Sequence, residues 1–326
     1  MAAEYADTKP ATDQSREPSL SELQEAVGGL GKMFTVRLDG RGDFTSIQAA
    51  IDAAPSGSLI EIQDNGPYNE KLVIPEARPG LTIRGRRGCW PTVIPPDEPA
   101  QLAITLCVVE ADGTALERII LARTPAKGKQ LECLSVYQGA LRLHRAIVCM
   151  QGSRRAFLIR GGAACNVTEC LVIAPVVAEG GAVFRQSLLL GYHTFDNLGS
   201  GVNLYGASEV RFCTLPVPCE LWGSPNVIVD SIVRLISRGE PKDRIEYCDV
   251  FGQIPFWASK ATPGKGCFNA PPMFRDPANL DYRLMPSSPC IGKASDGGDI
   301  GVRWTPEMLE MCRIALELRA RGIIKF

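Results

Sequence analysis

Histidine is nearly absent: His144 and His193 are the only two in 326 residues. The twelve cysteines stand singly along the chain, with no Cys-x-x-Cys pair. Zinc-type ligand spacing is therefore missing, and neither a metal nor another cofactor is expected. Excess charge of one sign is also missing, since 35 basic residues face 36 acidic ones. That balance removes the electrostatic case for nucleic acid or an anionic membrane as a partner. No apolar run approaches the ~20 residues that span a bilayer. The opening, Met1-Ala2-Ala3-Glu4-Tyr5-Ala6-Asp7, has neither the basic nor the apolar region of a secretory signal. The expectation is a cytoplasmic protein, or a secreted or fused one if a leader has been removed. Asn-Gly hairpin signals are reduced to Asn65-Gly66, which argues against an antiparallel meander. Gly40-x-Gly42 is too short for a nucleotide loop.

What remains is ample material for a core, with 45% hydrophobic residues. The single cysteines read as buried thiols, because free cysteine packs as a small apolar residue. Residues 1–32 read as a polar tail carrying a short helix, opened by Ser19-Leu20-Ser21-Glu22 and closed by Gly28-Gly29. Phe34-Thr35-Val36-Arg37-Leu38 alternates as a strand does. Thr45-Ser46-Ile47-Gln48 reads as a capping box, with Ile47, Ala50, Ile51 and Ala54 on one helical face. After Pro55-Ser56-Gly57 the chain becomes a series of short β-type runs between Gly, Pro and Asn turns.

The middle of the chain repeats. Phe157–Gly161 is followed by Asn166–Leu171, Val202–Gly206 by Glu209–Thr214, Cys219–Gly223 by Asn226–Ile232, and Leu235-Ile236 by Arg244–Asp249. Each unit reads strand, turn, strand and then a small residue: Cys170, Ser187, Cys213, Ser231 and Cys248. A period near 20 with two or three short strands per unit is the signature of a stacked β-solenoid. The expected fold is all-β, a single right-handed parallel β-helix over residues 33–304. Open coil ends need covering. A helix at 45–54 is expected to cap the N-terminal mouth. A C-terminal helix over 305–326, started by Thr305-Pro306-Glu307 and stopped at Gly322, is expected to cap the other.

The stretch from Val36 to Pro55, including Asp39-Gly40-Arg41-Gly42-Asp43-Phe44 and Ile47-Gln48-Ala49-Ala50-Ile51-Asp52, resembles the opening of pectin methylesterases and related pectin-lyase-like proteins. The likeness continues through Ile60–Ile62, Gly66–Ile74 and Leu81–Gly85. Phe274–Asp276, Asp281–Leu284 and Asp299-Ile300-Gly301 look like the closing coil of β-helix polysaccharide enzymes. The resemblance implies the parallel β-helix and a polysaccharide partner. Pectin methylesterases work with two carboxylates, a glutamine pair and an arginine. The strand from Ala182 to Tyr192 looks like the approach to that site. Where the family shows Gln-Asp-Thr-Leu, this chain has His193-Thr194-Phe195-Asp196. The Asp-Phe-Ile-Phe-Gly and Leu-Gly-Arg-Pro-Trp motifs are missing, so the covalent route lacks its nucleophile and acid.

Two function classes follow. One is a non-catalytic β-helix module for glycan or protein binding, within a larger protein or alone. The other is a lyase or hydrolase acting on an acidic polysaccharide. For the second, His193 with Asp196 form a candidate acid/base pair, and Arg185 and Arg211 are candidate cations for a uronate. Arginines at 142, 145, 160 and 234 also fall on predicted strands. Tyr192, Tyr205, Trp222 and Trp257 are candidate sugar platforms, because aromatic faces suit apolar sugar surfaces. Tyr205 and Trp222 hold the same place before Gly206 and Gly223, so packing on each other is the competing reading.

Overall fold

A column of apolar side chains runs through the molecule: Phe34, Ile60, Ile83, Leu116, Leu143, Val167, Phe184, Val210, Ile228 and Ile245 are successive in-register neighbours. They come from ten parallel strands of one sheet, from Met33–Val36 to Arg244–Glu246. The computed structural model describes residues 31–96, 105–124, 131–150, 152–191, 201–223 and 225–326. A 16-stranded sheet completes the coils as two parallel ladders. The second ladder runs from Tyr68–Asn69 to Asp249–Val250, and the third from Leu72–Ile74 to Phe256–Trp257. The long strands Thr214–Trp222 and Ile232–Ser237 belong to both and join them. The chain is thus a right-handed parallel β-helix. Each coil buries its apolar edge only against its neighbours.

The small-residue slot predicted from the repeat is a physical ladder. Cys170, Ser187, Cys213, Ser231 and Cys248 stand one above another, and the carbonyl of each lower coil accepts the N–H that follows the next slot residue. All five are fully buried. The residue just before each slot has φ near +50°: Glu169, Gln186, Phe212, Asp230 and Tyr247, preceded by Arg118 and Arg145. Left-handed backbone is costly for such side chains. Here each N–H donates to a carbonyl of the following coil, as Gln186 does to Arg211 at 3.1 Å and Asp230 to Glu246 at 3.2 Å. These turns carry no Gly or Asn, so the sequence does not announce them.

Helix α1, Ile47–Ala53, plugs the N-terminal mouth with Ile47, Ala50 and Ile51 buried in the main core. Its cap is Ser46, whose hydroxyl accepts from the Ala49 N–H at 3.1 Å. The carboxylate of Glu70 accepts from the N–H groups of Ile47 and Gln48. The expected box of Thr45 with Gln48 is thereby corrected: the cap is Ser46, and the Gln48 side chain bonds the Val73 backbone in both directions. The short helix expected in the tail lies outside the described residues.

Helix α2, Pro306–Ala320, corrects the expected second end cap. Thr305 caps it as predicted. It lies along the flank, however, with Met308, Met311, Cys312, Ala315 and Leu318 packed in one cluster with Ile120, Ile147, Leu171 and Leu188. The outer face of the second ladder is unusually apolar, and α2 supplies its cover. Phe274–Asp276 and Asp281–Leu284 also differ from the expected closing coil, because they pair antiparallel. The parallel stack therefore ends short of 304, near Phe256–Trp257 and the bridge from Asp249 to Phe268. Ten of the twelve cysteines are buried and two half-buried, all as free thiols.

Candidate functional site

With the coil interior apolar and the second ladder covered by α2, functional side chains gather on the outer faces of the first sheet and the third ladder. Strand alternation sends every second residue outward. On the first sheet this places Arg185 and Arg211 in register. Both bind one carboxylate: Glu209 lies 3.1 Å from Arg185 and 2.6 Å from Arg211. Burial raises the Glu209 carboxyl, but the hydrogen bonds from Arg211 and Arg185 outweigh it and hold it below its ordinary range. The two arginines are brought together as expected, yet their charge is already shared with a glutamate. Arg145 is likewise tied to Glu169 and to Glu307 of α2.

On the third ladder Tyr205 and Trp222 are register partners. Their rings stack at 5.8 Å and 9°. The guanidinium of Arg238 lies 4.1 Å from the Trp222 ring centre. One ring face of Trp222 is taken by Tyr205 and the other by Arg238, so packing has claimed this tryptophan. Its indole N–H donates to Glu220 at 3.1 Å, and Glu220 also faces Arg238 at 3.6 Å. Burial, with Glu179 and Glu220 nearby, raises the Tyr205 phenol.

The outward row beside them runs Asn203, Glu220, Ser237 and Trp257. It leads to a depression of about 380 Å³ lined by Arg234, Leu235, Gly252, Gln253, Ile254 and Trp257. Ile254 is 60% and Trp257 39% exposed. Arg234 has no carboxylate in ion-pair range among the described residues. Gly252 fits against the strand here because a Cβ would lie 2.3 Å from the Arg234 carbonyl oxygen. An apolar ring, an aliphatic wall, an amide and a guanidinium thus share one depression.

Glu132 and Glu179 on this face are, like Glu220, already bonded. Glu132 is buried and accepts from Thr105, Ser135 and Tyr137, with Arg155 at 3.2 Å. Glu179 faces Arg160 at 3.8 Å. His193, Asp196 and Tyr192 lie outside the described residues. Thus the first sheet groups Arg185 with Arg211, the third ladder groups Tyr205 with Trp222, and the two pairs belong to different faces. Arg234 and Trp257 were each visible in the sequence, but nothing in their spacing joined them with Gln253 and Ile254. Among the described residues no group of three or more His, Cys, Asp or Glu side chains is placed to hold a metal ion. No described helix is long and apolar enough to cross a membrane.

No protein-family model matches the chain. Probable pectinesterase 67 of Arabidopsis thaliana is 44% identical over 66 residues, 19% of this chain and 19% of that protein. Probable pectinesterase 55 of the same plant is 35% identical over 108 residues, 30% of this chain and 32% of that protein. The matched part thus spans a fifth to a third of these relatives' length. Among solved structures, the pectin methylesterase of Aspergillus niger has a TM-score of 0.48 at 14% identity, covering 73% of this chain and 83% of that one. Pectate lyase Pel9A has a TM-score of 0.46 at 10% identity, covering 85% and 97%.

Proposed function

We propose that the third-ladder face binds an acidic polysaccharide and that the protein acts as a non-catalytic glycan-binding β-helix. The observation that carries this reading is the depression that Arg234, with no carboxylate in ion-pair range among the described residues, lines together with Trp257. A uronate-type sugar has the matching parts: an apolar ring face for Trp257, a carboxylate for Arg234 and hydroxyls for Gln253. Binding without turnover is favoured because Glu132, Glu179 and Glu220 are each engaged by neighbouring donors or arginines. A proton-transfer pair needs carboxyl groups free to face substrate.

A second reading, a polysaccharide-processing enzyme, draws on the name pectinesterase carried by both sequence relatives. Titration calorimetry with a uronic-acid oligomer, beside a neutral oligomer of equal length, separates the readings. The acidic oligomer binds and the neutral one does not. Arg234→Ala weakens binding by about tenfold, the loss of one charge-assisted hydrogen bond. Equal affinity for both oligomers would refute the anchor. Release of methanol, unsaturated ends or new reducing ends would establish the enzyme instead.

A further inference from the structure

The last turn of the stack puts two thiols on adjacent rungs. Phe268 forms a parallel bridge with Asp249. Its N–H donates to the Cys248 carbonyl at 3.0 Å, and its carbonyl accepts from Val250 at 3.0 Å. One residue back, that register sets Cys267 over Cys248. Adjacent rungs lie ~4.8 Å apart, within the ~4.4–6.8 Å Cα separation that a disulfide spans. Cys267 donates to the Ile245 carbonyl at 3.3 Å, and Cys248 to the carbonyls of Glu246 at 3.1 Å and Ile228 at 3.5 Å.

The two thiols differ in the way a reactive and a resolving cysteine differ. Cys248 is fully buried, whereas Cys267 is half-buried at the open end of the coil. The neighbouring Cys248 thiol lowers the Cys267 thiol below its ordinary range, while burial raises Cys248. The buried cysteines at 107, 133, 149, 165, 170, 213, 219, 290 and 312 are all raised by burial. Thiolate character with access is what selects a cysteine for oxidation.

We propose that Cys248 and Cys267 form a peroxide-oxidisable dithiol whose disulfide staples the final rung to the end of the β-helix. In the first step the Cys267 thiolate attacks one oxygen of hydrogen peroxide. An S–O bond forms, the O–O bond breaks, and the departing hydroxide takes a proton to leave as water. The Cys248 thiol then attacks the sulfenic sulfur. An S–S bond forms, the S–O bond breaks, and the hydroxyl leaves as water with the Cys248 proton. Two thiols lose two electrons and one peroxide becomes two waters. The linkage removes freedom from the chain between 248 and 267 in the unfolded state and holds the coil end shut.

The test is to treat the folded protein with hydrogen peroxide, remove the peroxide, unfold the chain in denaturant, block remaining thiols with N-ethylmaleimide and map the peptides by mass. The expected result is one linkage, Cys248 to Cys267, two hydrogens lighter than the reduced pair and reversed by dithiothreitol, with the other ten cysteines alkylated. Cys248→Ser is expected to accumulate a dimedone-reactive sulfenic acid at Cys267, and Cys267→Ser to leave Cys248 reduced. The oxidised wild type melts above its reduced form. Full alkylation of both thiols after peroxide, or linkage to a different cysteine, overturns the proposal, and the wild-type map decides this without any variant.

Discussion

The Ser231 hydroxyl accepts the backbone N–H of Cys213 at 3.2 Å while donating its own proton to the Val229 carbonyl at 2.8 Å. Ser187 does the same two coils earlier, accepting from Cys170 at 3.1 Å and donating to Arg185 at 2.8 Å. Cysteine in the same slot keeps half of this arrangement, with its thiol donating back two residues, as Cys213 does to Arg211 at 3.2 Å. The corner thus alternates serine and cysteine along the axis. Each serine satisfies an N–H of the coil before it, and each cysteine fills the same narrow space.

Ser231→Ala is expected to lower stability by about 1–3 kcal/mol, because it leaves the buried Cys213 N–H without its acceptor. Ser231→Cys, which keeps the volume of the slot, should cost less than Ser231→Ala. Urea midpoints with an unchanged slope would check both.

Met311 is fully buried between α2 and the second ladder. Met311→Ala is expected to cost about 2–5 kcal/mol through lost burial and a residual cavity. Met311→Asp should detach the helix and expose the strip formed by Ile120, Ile147, Leu171 and Leu188. A rise in the fluorescence of an apolar dye, with parallel-sheet circular dichroism retained, would register the detachment.

Burial pushes the Asp249 carboxyl up to about 6, against relief from the Ala270 N–H and the Cys290 thiol. The unfolded value is near ~3.9. Between these values the folded chain keeps a proton that the unfolded chain has lost, so this group's contribution to stability falls as pH rises through that window and levels off above it. Asp249→Asn is expected to flatten that part of the profile, matching wild type near the acidic end and exceeding it at pH values above the window. Melting curves across the range would show whether the difference has this sign.

Arg238→Ala uncovers one face of Trp222 and removes the ion pair of Glu220, which keeps the Trp222 indole N–H. The loss of the cation–π contact is expected to cost about 0.5–1 kcal/mol and to shift the tryptophan emission toward the red. An unchanged spectrum would mean that Arg238 does not rest on the ring in solution.

Glu209→Gln releases Arg185 and Arg211 on the first sheet. Affinity for an acidic oligomer should stay within about twofold of wild type, because the third-ladder depression is a separate site and independent sites act additively. A marked gain in affinity would return the first-sheet arginines to the binding face.

The N-terminal plug was legible because Ile47, Ala50 and Ile51 declare one helical face within a few residues. Helix α2 was legible as a helix, since Thr305-Pro306 opens it and its apolar stripe is local. Its placement was not, because the surface that receives it is assembled from Ile120, Ile147, Leu171 and Leu188, each on a different coil. Arg185 and Arg211 looked alike in sequence to Arg234. Only Glu209, brought beside the first two and not beside the third, tells them apart.

The sequence by itself determined the stack: a short strand, a turn, a small residue and a period near 20 dictate parallel coils, because each coil can cover its apolar edge only with the next. The tertiary structure alone decided which side chains share a face. Loops of unequal length separate Glu220, Ser237 and Trp257 along the chain, and only the backbone ladder, pairing Glu220 with Ser237 and Ser237 with Trp257, sets them on one surface.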